Sequence, residues 1–336
     1  MNINPVVVDI FRSTAVESRH RGAVVAVDAS GDTIFELGNI DALVFPRSSL
    51  KPFQAIPLVE SGAAAHFSLT DRELALACAS HNAEPVHQQV LAEWMQRAGL
   101  NSEQLECGAA LPYDETTARD HLRAGGEPAK HLHNCSGKHT GMLTLAKFLN
   151  LPADGYSLLE HPTQQLWIDV LSELSEVDIK NMPWDRDGCG LPAFALPLRA
   201  LALAFSKFSR KGNVNEKRFA AMNTISNAMR KHPDMVAGRS RCCTATMEAT
   251  DMLLVKTGAE GVFGGVCLSR GIGFALKIDD GATRAADAAL GALLLATGIL
   301  DDSGYEAMEQ AYQPAIKNSQ GVVVGKVAAS SVWGEL

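Results

Sequence analysis

No stretch of this sequence is both long enough and apolar enough to cross a bilayer. The most apolar run, Ala285 to Leu300, carries Asp287 and falls short of the roughly 20 residues a spanning helix needs. The N-terminal segment MNINPVVVDIFRSTAVESRH lacks the basic start and apolar core that an export signal combines. The expectation is a cytoplasmic protein with no membrane partner. Positive charge is in short supply as well: Lys+Arg number 30 against 38 Asp+Glu, a formal net charge of −8. Binding to phosphate backbones needs a basic surface, so nucleic acid is not expected as a partner. Paired cysteines are also missing. The seven cysteines, Cys78, Cys107, Cys135, Cys189, Cys242, Cys243 and Cys267, are odd in number and scattered. In a cytosolic chain that pattern means thiols, most of them small core residues. Internal repeats, low-complexity tracts and an evident linker are absent.

What is present is an ordinary globular balance, 46% hydrophobic and 20% charged, with enough apolar residues for a sizeable core. Gly22 to Asn39 reads as a hairpin, two β-rich runs about the turn Asp28-Ala29-Ser30-Gly31-Asp32. Pro52 and Pro57 argue against a long straight helix after Ser48. Thr70-Asp71-Arg72-Glu73 is a capping box opening a helix to about Cys78. Val86, Val90, Leu91, Trp94 and Met95 recur at helical spacing from Pro85 to Leu100. Further helices are predicted at about 138–149, 162–176, 215–231 and 282–298. The period then changes, and Asp251 to Lys256, Gly261 to Leu268 and Gly271 to Ile278 read as strands. A hairpin, a helical middle, strands and a closing helix imply an α+β fold, its antiparallel sheet built from both chain ends with a helical subdomain. The expectation is one domain over 1–336, helical over about 60–235.

Three short motifs carry chemistry. Ser48-x-x-Lys51 places hydroxyl and amine on one face of a helical turn. Serine is a poor nucleophile without a base, and a lysine serves as base where its neutral form is favoured. Ser80-x-Asn82 alone is a polar helix end, and Lys256-Thr257-Gly258 alone is a strand end. In this order, with the third on a C-terminal strand, they match the arrangement of serine β-lactamases and penicillin-binding proteins. Without an export signal, the expected substrate is a small intracellular amide.

Two further clusters, Cys135-Ser136-Gly137-Lys138-His139-Thr140-Gly141-Met142 and Asp187-Gly188-Cys189-Gly190-Leu191-Pro192, set reactive side chains among glycines that admit close backbone approach. Cys135 and Cys189 can share one site, where a zinc ion suits two sulfurs and a nitrogen. Neither segment has CxxC or HxxxH spacing, and two tight turns with incidental cysteines are the other reading.

The segments FPRSSLKPFQA (45–55), CASHNAEPVH (78–87), NCSGKHTGML (134–143), DGCGLP (187–192) and LVKTGAEGV (254–262) resemble the rhizobial-type L-asparaginases, the asparaginase II or thermolabile asparaginase family. The resemblance runs from about residue 5 to 332. It implies a serine β-lactamase-like fold, hydrolysis of L-asparagine to L-aspartate and ammonia, and homodimers. It implies two Ser–Lys pairs, Ser48 with Lys51 and Ser80 with Lys256, and a zinc site on Cys135, Lys138 and Cys189. It places a pocket cysteine in Arg241-Cys242-Cys243-Thr244, where Cys243 fits the pattern better and Cys242 stays open. For the substrate zwitterion, Asp187 is the candidate for the ammonium, and Arg47 and His139 for the carboxylate. An ion pair for Arg47 and a buried or outer-shell role for His139 are the competing readings. Either serine remains open as nucleophile, with Ser48 favoured by its SxxK geometry. The rival functions are a glutaminase or β-lactamase-like hydrolase on the same fold, and a catalytically silent, zinc-containing binding protein.

Overall fold

The computed structural model describes residues 3–212 and 214–334. It divides into two compact units. One takes the chain up to Ser49, then Ala195–Arg210, then the chain from Ala245 on; the other takes Leu50–Phe194 and Lys211–Thr244.

The first unit is built on a sheet. Its strands are β1 (Val6–Arg12), β2 (Ala15–Val27), β3 (Thr33–Leu37), β4 (Leu253–Gly258), β5 (Val262–Cys267), β6 (Ile272–Ile278), β7 (Ala315–Lys317) and β8 (Val323–Ala329). They pair in the order β7-β8-β1-β2-β6-β5-β4, with β3 also on β2, and every pairing is antiparallel. The expected α+β architecture, with a sheet made from both chain ends, is present. β1 pairs with β8 from Val8↔Ala329 to Arg12↔Gly325, a closure of the termini that the β-rich run Val6-Val7-Val8 permits but does not announce. The predicted hairpin is β2–β3. Its turn is tied by Asp28, whose Oδ1 accepts from Ser30 N–H at 2.8 Å and Asp32 N–H at 3.1 Å.

Side chains alternate between faces along a strand, so a strand buried at every position is covered on both faces. β5 is such a strand. Helices Leu198–Ser206 and Thr283–Ala296 both pack on β5 and β6. The first of these approaches so closely that a Cβ on Gly273 of β6 would meet Ala202 O at 2.1 Å. Only glycine fits there.

The second unit is mainly helical. Its helices include Lys51–Glu60, Asp71–Ala77, Pro85–Ala98, Ser136–Phe148, Pro162–Ser175 and Glu216–Lys231. The predicted capping box is formed at Thr70 and Glu73, and Gly99 ends its helix in the left-handed region at φ 60°. The prolines are accommodated in a helix of ordinary length that begins beside Pro52. Lys51–Glu60 is a helix of 10 residues containing both Pro52 and Pro57. Pro52 lies in the first turn, where no N–H is needed. Pro57 forfeits one internal hydrogen bond, and burial of Phe53, Ala55, Ile56 and Leu58 offsets the loss. Among the described residues no helix is long and apolar enough to cross a membrane.

Gly273→Ala should cost about 1–3 kcal/mol, the usual range for overpacking. Urea unfolding followed by circular dichroism measures it, and an unchanged midpoint would contradict the close approach of helix Leu198–Ser206.

Candidate active site

The functional residues of the helical unit are set by a three-residue segment after helix Asp71–Ala77. Ser80 N–H donates to Val236 O at 2.9 Å, His81 N–H to Asn134 O at 3.1 Å and Asn82 N–H to Ala237 O at 2.9 Å. The Ser80-His81-Asn82 backbone is therefore held between two neighbouring segments, with all three side chains buried. Lys51, the first residue of its helix, is fully buried. The motif couples it to Ser48, three residues earlier. Within the helical unit its Nζ donates to Ala79 O, to Ser80 Oγ at 2.9 Å and to Cys135 Sγ at 3.2 Å.

Helix Ser136–Phe148 delivers the next group. It begins against the end of helix Asp71–Ala77, where a Cβ on Gly137 would meet Leu76 O at 2.2 Å. That close approach sets Cys135 beside Lys51. Lys138, one turn further on, donates to Cys189 Sγ at 2.9 Å and lies 3.7 Å from Asp187 Oδ2. The Asp187 turn is self-tied, its Oδ1 accepting from Cys189 N–H at 2.9 Å and Leu191 N–H at 3.2 Å. So the sequence-distant Cys135, Lys138, Asp187 and Cys189 are brought together.

Electrostatics divides the two thiols. The hydrogen bond from Cys189, with the Lys51 and Lys138 cations nearby, holds the Cys135 thiol well below its usual range despite burial. The same hydrogen bond, with burial, pushes Cys189 well above it. Cys135 is thus the more acidic of the two thiols. Burial alone would lower the Lys138 pKa, but the charges of Cys189, Asp187 and Cys135 outweigh it and raise it. Burial would raise Asp187, and Lys138 and the Cys189 hydrogen bonds bring it below the usual carboxylate value. Among the described residues no group of three or more His, Cys, Asp or Glu is placed to hold a metal. The donors here are two sulfurs and an amine. Zinc accepts sulfur and nitrogen donors in a buried site, and its binding would displace the protons held by Cys189 and Lys138. In donor chemistry these residues fit the ion.

His139 is fully buried. Its Nδ1 meets Tyr156 Oη at 2.6 Å, and its Nε2 has no hydrogen-bond partner among the described residues. Burial, with Lys138 adjacent, pushes its pKa well below the ordinary value, so the ring is neutral. Cys243 is buried and Cys242 half-buried at the start of helix Cys242–Ala249.

Sequence reasoning missed the partners of Asn82. Its Nδ2 donates to Glu84 Oε1 at 2.9 Å and Arg239 O at 3.3 Å, and its Oδ1 accepts from Arg241 Nη1 at 3.0 Å. Glu84 in turn accepts from Arg239 N–H at 3.0 Å and Arg239 Nε at 3.1 Å. Both ends of the Asn82 amide are thus spent on the 239–241 loop, whose Ser240 takes a left-handed φ of 60°. The unusual spelling Gly238-Arg239-Ser240-Arg241 was the signal available in the sequence.

In the sheet unit, Arg47 and Ser48 lie on the 3₁₀ turn Arg47–Leu50. Arg47 is left-handed at φ 54°, and its buried Nε lacks a hydrogen-bond partner among the described residues. Non-glycine residues in that region are strained by about 1 kcal/mol or more. Lys256 is fully buried on β4, at one edge of the sheet, and its Nζ donates to Thr257 O at 2.9 Å. The turn and the strand touch: a Cβ on Gly258 would meet Pro46 O at 2.2 Å. The glycine of Lys256-Thr257-Gly258 therefore lets the Ser48 segment lie flat against β4.

Burial would raise the Glu84 pKa, but the Asn82 hydrogen bond and the Arg239 N–H outweigh it and bring it below the ordinary carboxylate value. A group depressed on folding stabilises above its unfolded pKa and loses that contribution as pH falls through the folded pKa. Glu84→Gln should therefore be less stable than the parent at pH 7, with the difference shrinking below about pH 4. Denaturation midpoints across this range test it, and a pH-independent difference would refute it.

No curated protein matches the sequence. Among solved structures, a β-lactamase from Sphaerobacter thermophilus DSM 20745 is 14% identical, with 84% of this chain and 93% of that one covered at a TM-score of 0.40. A β-lactamase from Desulfarculus baarsii DSM 2075 is also 14% identical, with coverages of 78% and 85% and a TM-score of 0.30. The profile of the L-asparaginase II family matches residues 8–329. That match takes in nearly the whole chain and every residue of both clusters: the chain belongs to the L-asparaginase II family and is a hydrolase.

Proposed function

We propose that this chain hydrolyses L-asparagine to L-aspartate and ammonia through a serine acyl-enzyme. The observation that carries the reading is the fully buried Lys51 amine donating to Ser80 Oγ at 2.9 Å, in a chain whose SxxK, SxN and KTG motifs stand in acyl-transferase order. Ser48 is the nucleophile and Lys51 its base; Ser80 and Lys256 form the second pair. Ser48 Oγ attacks the side-chain amide carbon while Lys51 takes its proton. The C–N bond then breaks, ammonia leaves with a proton returned by lysine or Ser80, and water cleaves the β-aspartyl ester. Asp187 is the proposed partner of the substrate ammonium. Arg47 and His139 are the proposed partners of its carboxylate, and the bare Arg47 Nε and His139 Nε2 support that reading, because a buried donor left unpaired is costly. Cys243 is proposed to line the pocket.

Cys135, Lys138 and Cys189 would hold zinc, which supplies a Lewis acid to fix the substrate. The serines already provide the nucleophile. A homodimer is part of the same proposal, and light scattering on the purified protein checks it.

Ammonia release from L-asparagine and L-glutamine, side by side with and without zinc, is the direct test. One methylene separates the two, a difference worth only about 1–3 kcal/mol to a pocket. Release from asparagine supports the reading, and release from neither substrate under both conditions sinks it. Ser48→Ala should abolish turnover with the thermal midpoint unchanged, and retained activity would remove Ser48 from the nucleophile's role. Cys135→Ala should lose bound zinc by elemental analysis, whereas unchanged metal content would dismiss the site.

A further inference from the structure

Residues 111–128 leave the helical unit as a closed excursion. Its two ends are clasped where Ala110 N–H donates to Ala129 O at 3.1 Å and Ala129 N–H returns to Ala110 O at 3.0 Å. The excursion carries helix Glu115–Arg123, none of whose residues is buried. Within 111–128 only Pro112 is buried. Its ion pairs, Arg119 with Glu115 and Arg123 with Asp120, are internal and exposed. A segment clasped at its base, with almost no buried side chain of its own, has little to hold it against the body of the protein.

What does hold it falls in one place. Asp114 N–H donates to Asn82 O at 3.2 Å. The Tyr113 ring, 59% exposed, lies under the Arg241 guanidinium at 4.8 Å. Among the described residues these are the hydrogen-bond and ring contacts that tie 111–128 to the rest of its unit. Arg241 is the same side chain that donates to Asn82 Oδ1 at 3.0 Å and reaches Ser80 O at 3.5 Å. Both tethers therefore end on the Ser80–Asn82 segment, whose serine accepts from Lys51.

We infer that residues 111–128 form a hinged strap over the Lys51–Ser80 pair, with Tyr113 on Arg241 as its latch. Tyr113 and Arg241 are positioning residues: the latched strap fixes Arg241, and Arg241 fixes the carbonyl of Ser80. Releasing the latch lets substrate in and product out. The inference rests on the amidohydrolase reading, because the strap is given the Lys51–Ser80 site to cover.

Hydrogen–deuterium exchange of the full chain, with and without L-aspartate and at two protein concentrations, tests it. The expected result is slower exchange in 111–128 together with 78–84 when L-aspartate is present. Protection of 78–84 with 111–128 unchanged overturns the strap and leaves the proposed function standing. Protection of neither segment overturns both. Protection of 111–128 that follows protein concentration rather than L-aspartate identifies a contact between copies and also overturns the strap. Tyr113→Ala should raise KM for L-asparagine roughly 2- to 5-fold, the range of a lost exposed cation–π contact, with a smaller change in kcat and no change in thermal midpoint. A drop in kcat with KM unchanged overturns the latch.

Discussion

A lysine amine with no exposure to water has to find its acceptors inside the protein, and Lys51 is such a group. Leaving a buried donor unpaired costs about 1–3 kcal/mol, so the chain must bring Ala79 O, Ser80 Oγ and Cys135 Sγ to one point. Much of the helical unit follows from that demand. Helix Asp71–Ala77 stops so that Ser80 can run extended, and Ser136–Phe148 starts on a glycine-permitted contact so that Cys135 arrives beside Lys51. Pro57 is kept inside helix Lys51–Glu60 because that helix is buried along most of its length.

The thiol pair extends the same electrostatic logic. Lys51 lies against Cys135 and Lys138 against Cys189, and in this setting the Cys135 thiol is held low while that of Cys189 is pushed up. Asp187 balances Lys138 from the other side. The arrangement is satisfied through its own protons, and it presents the donors that zinc would take once those protons leave. A buried polar network of this kind is rigid because each member needs the others.

Among the described residues, three of the eight non-glycine residues with left-handed φ lie beside the candidate site residues. Arg47 immediately precedes Ser48, Ala83 immediately follows Asn82, and Ser240 lies in the loop that Asn82 holds; all three are left-handed without being glycine. Such conformations persist only when neighbouring bonds over-determine them. For Ser240 those bonds are visible: Asn82 and Glu84 hold both ends of the turn. Glu84 does this as a carboxylate whose charged form the site favours.

The local elements were largely legible. The capping box at Thr70, the helical period from Pro85, the hairpin turn at Asp28 and the strands from Leu253 to Ile278 are set by neighbouring residues, and sequence patterns report neighbours. The SxxK, SxN and KTG motifs could be found for the same reason, and together they pointed to the family. Partnerships between distant residues are of another kind. That Lys51 meets Ser80, that Lys138 meets Cys189, that Asn82 spends its amide on Arg239 and Arg241, and that Tyr113 lies under Arg241 are all settled by packing. A hydrogen bond between residues far apart in the chain leaves no period and no spacing in the sequence. The sequence by itself determined which groups are available and which turns and helices carry them. Only the tertiary structure decided which of those groups face one another, because burial forces each polar atom to find whatever partner the fold places within reach.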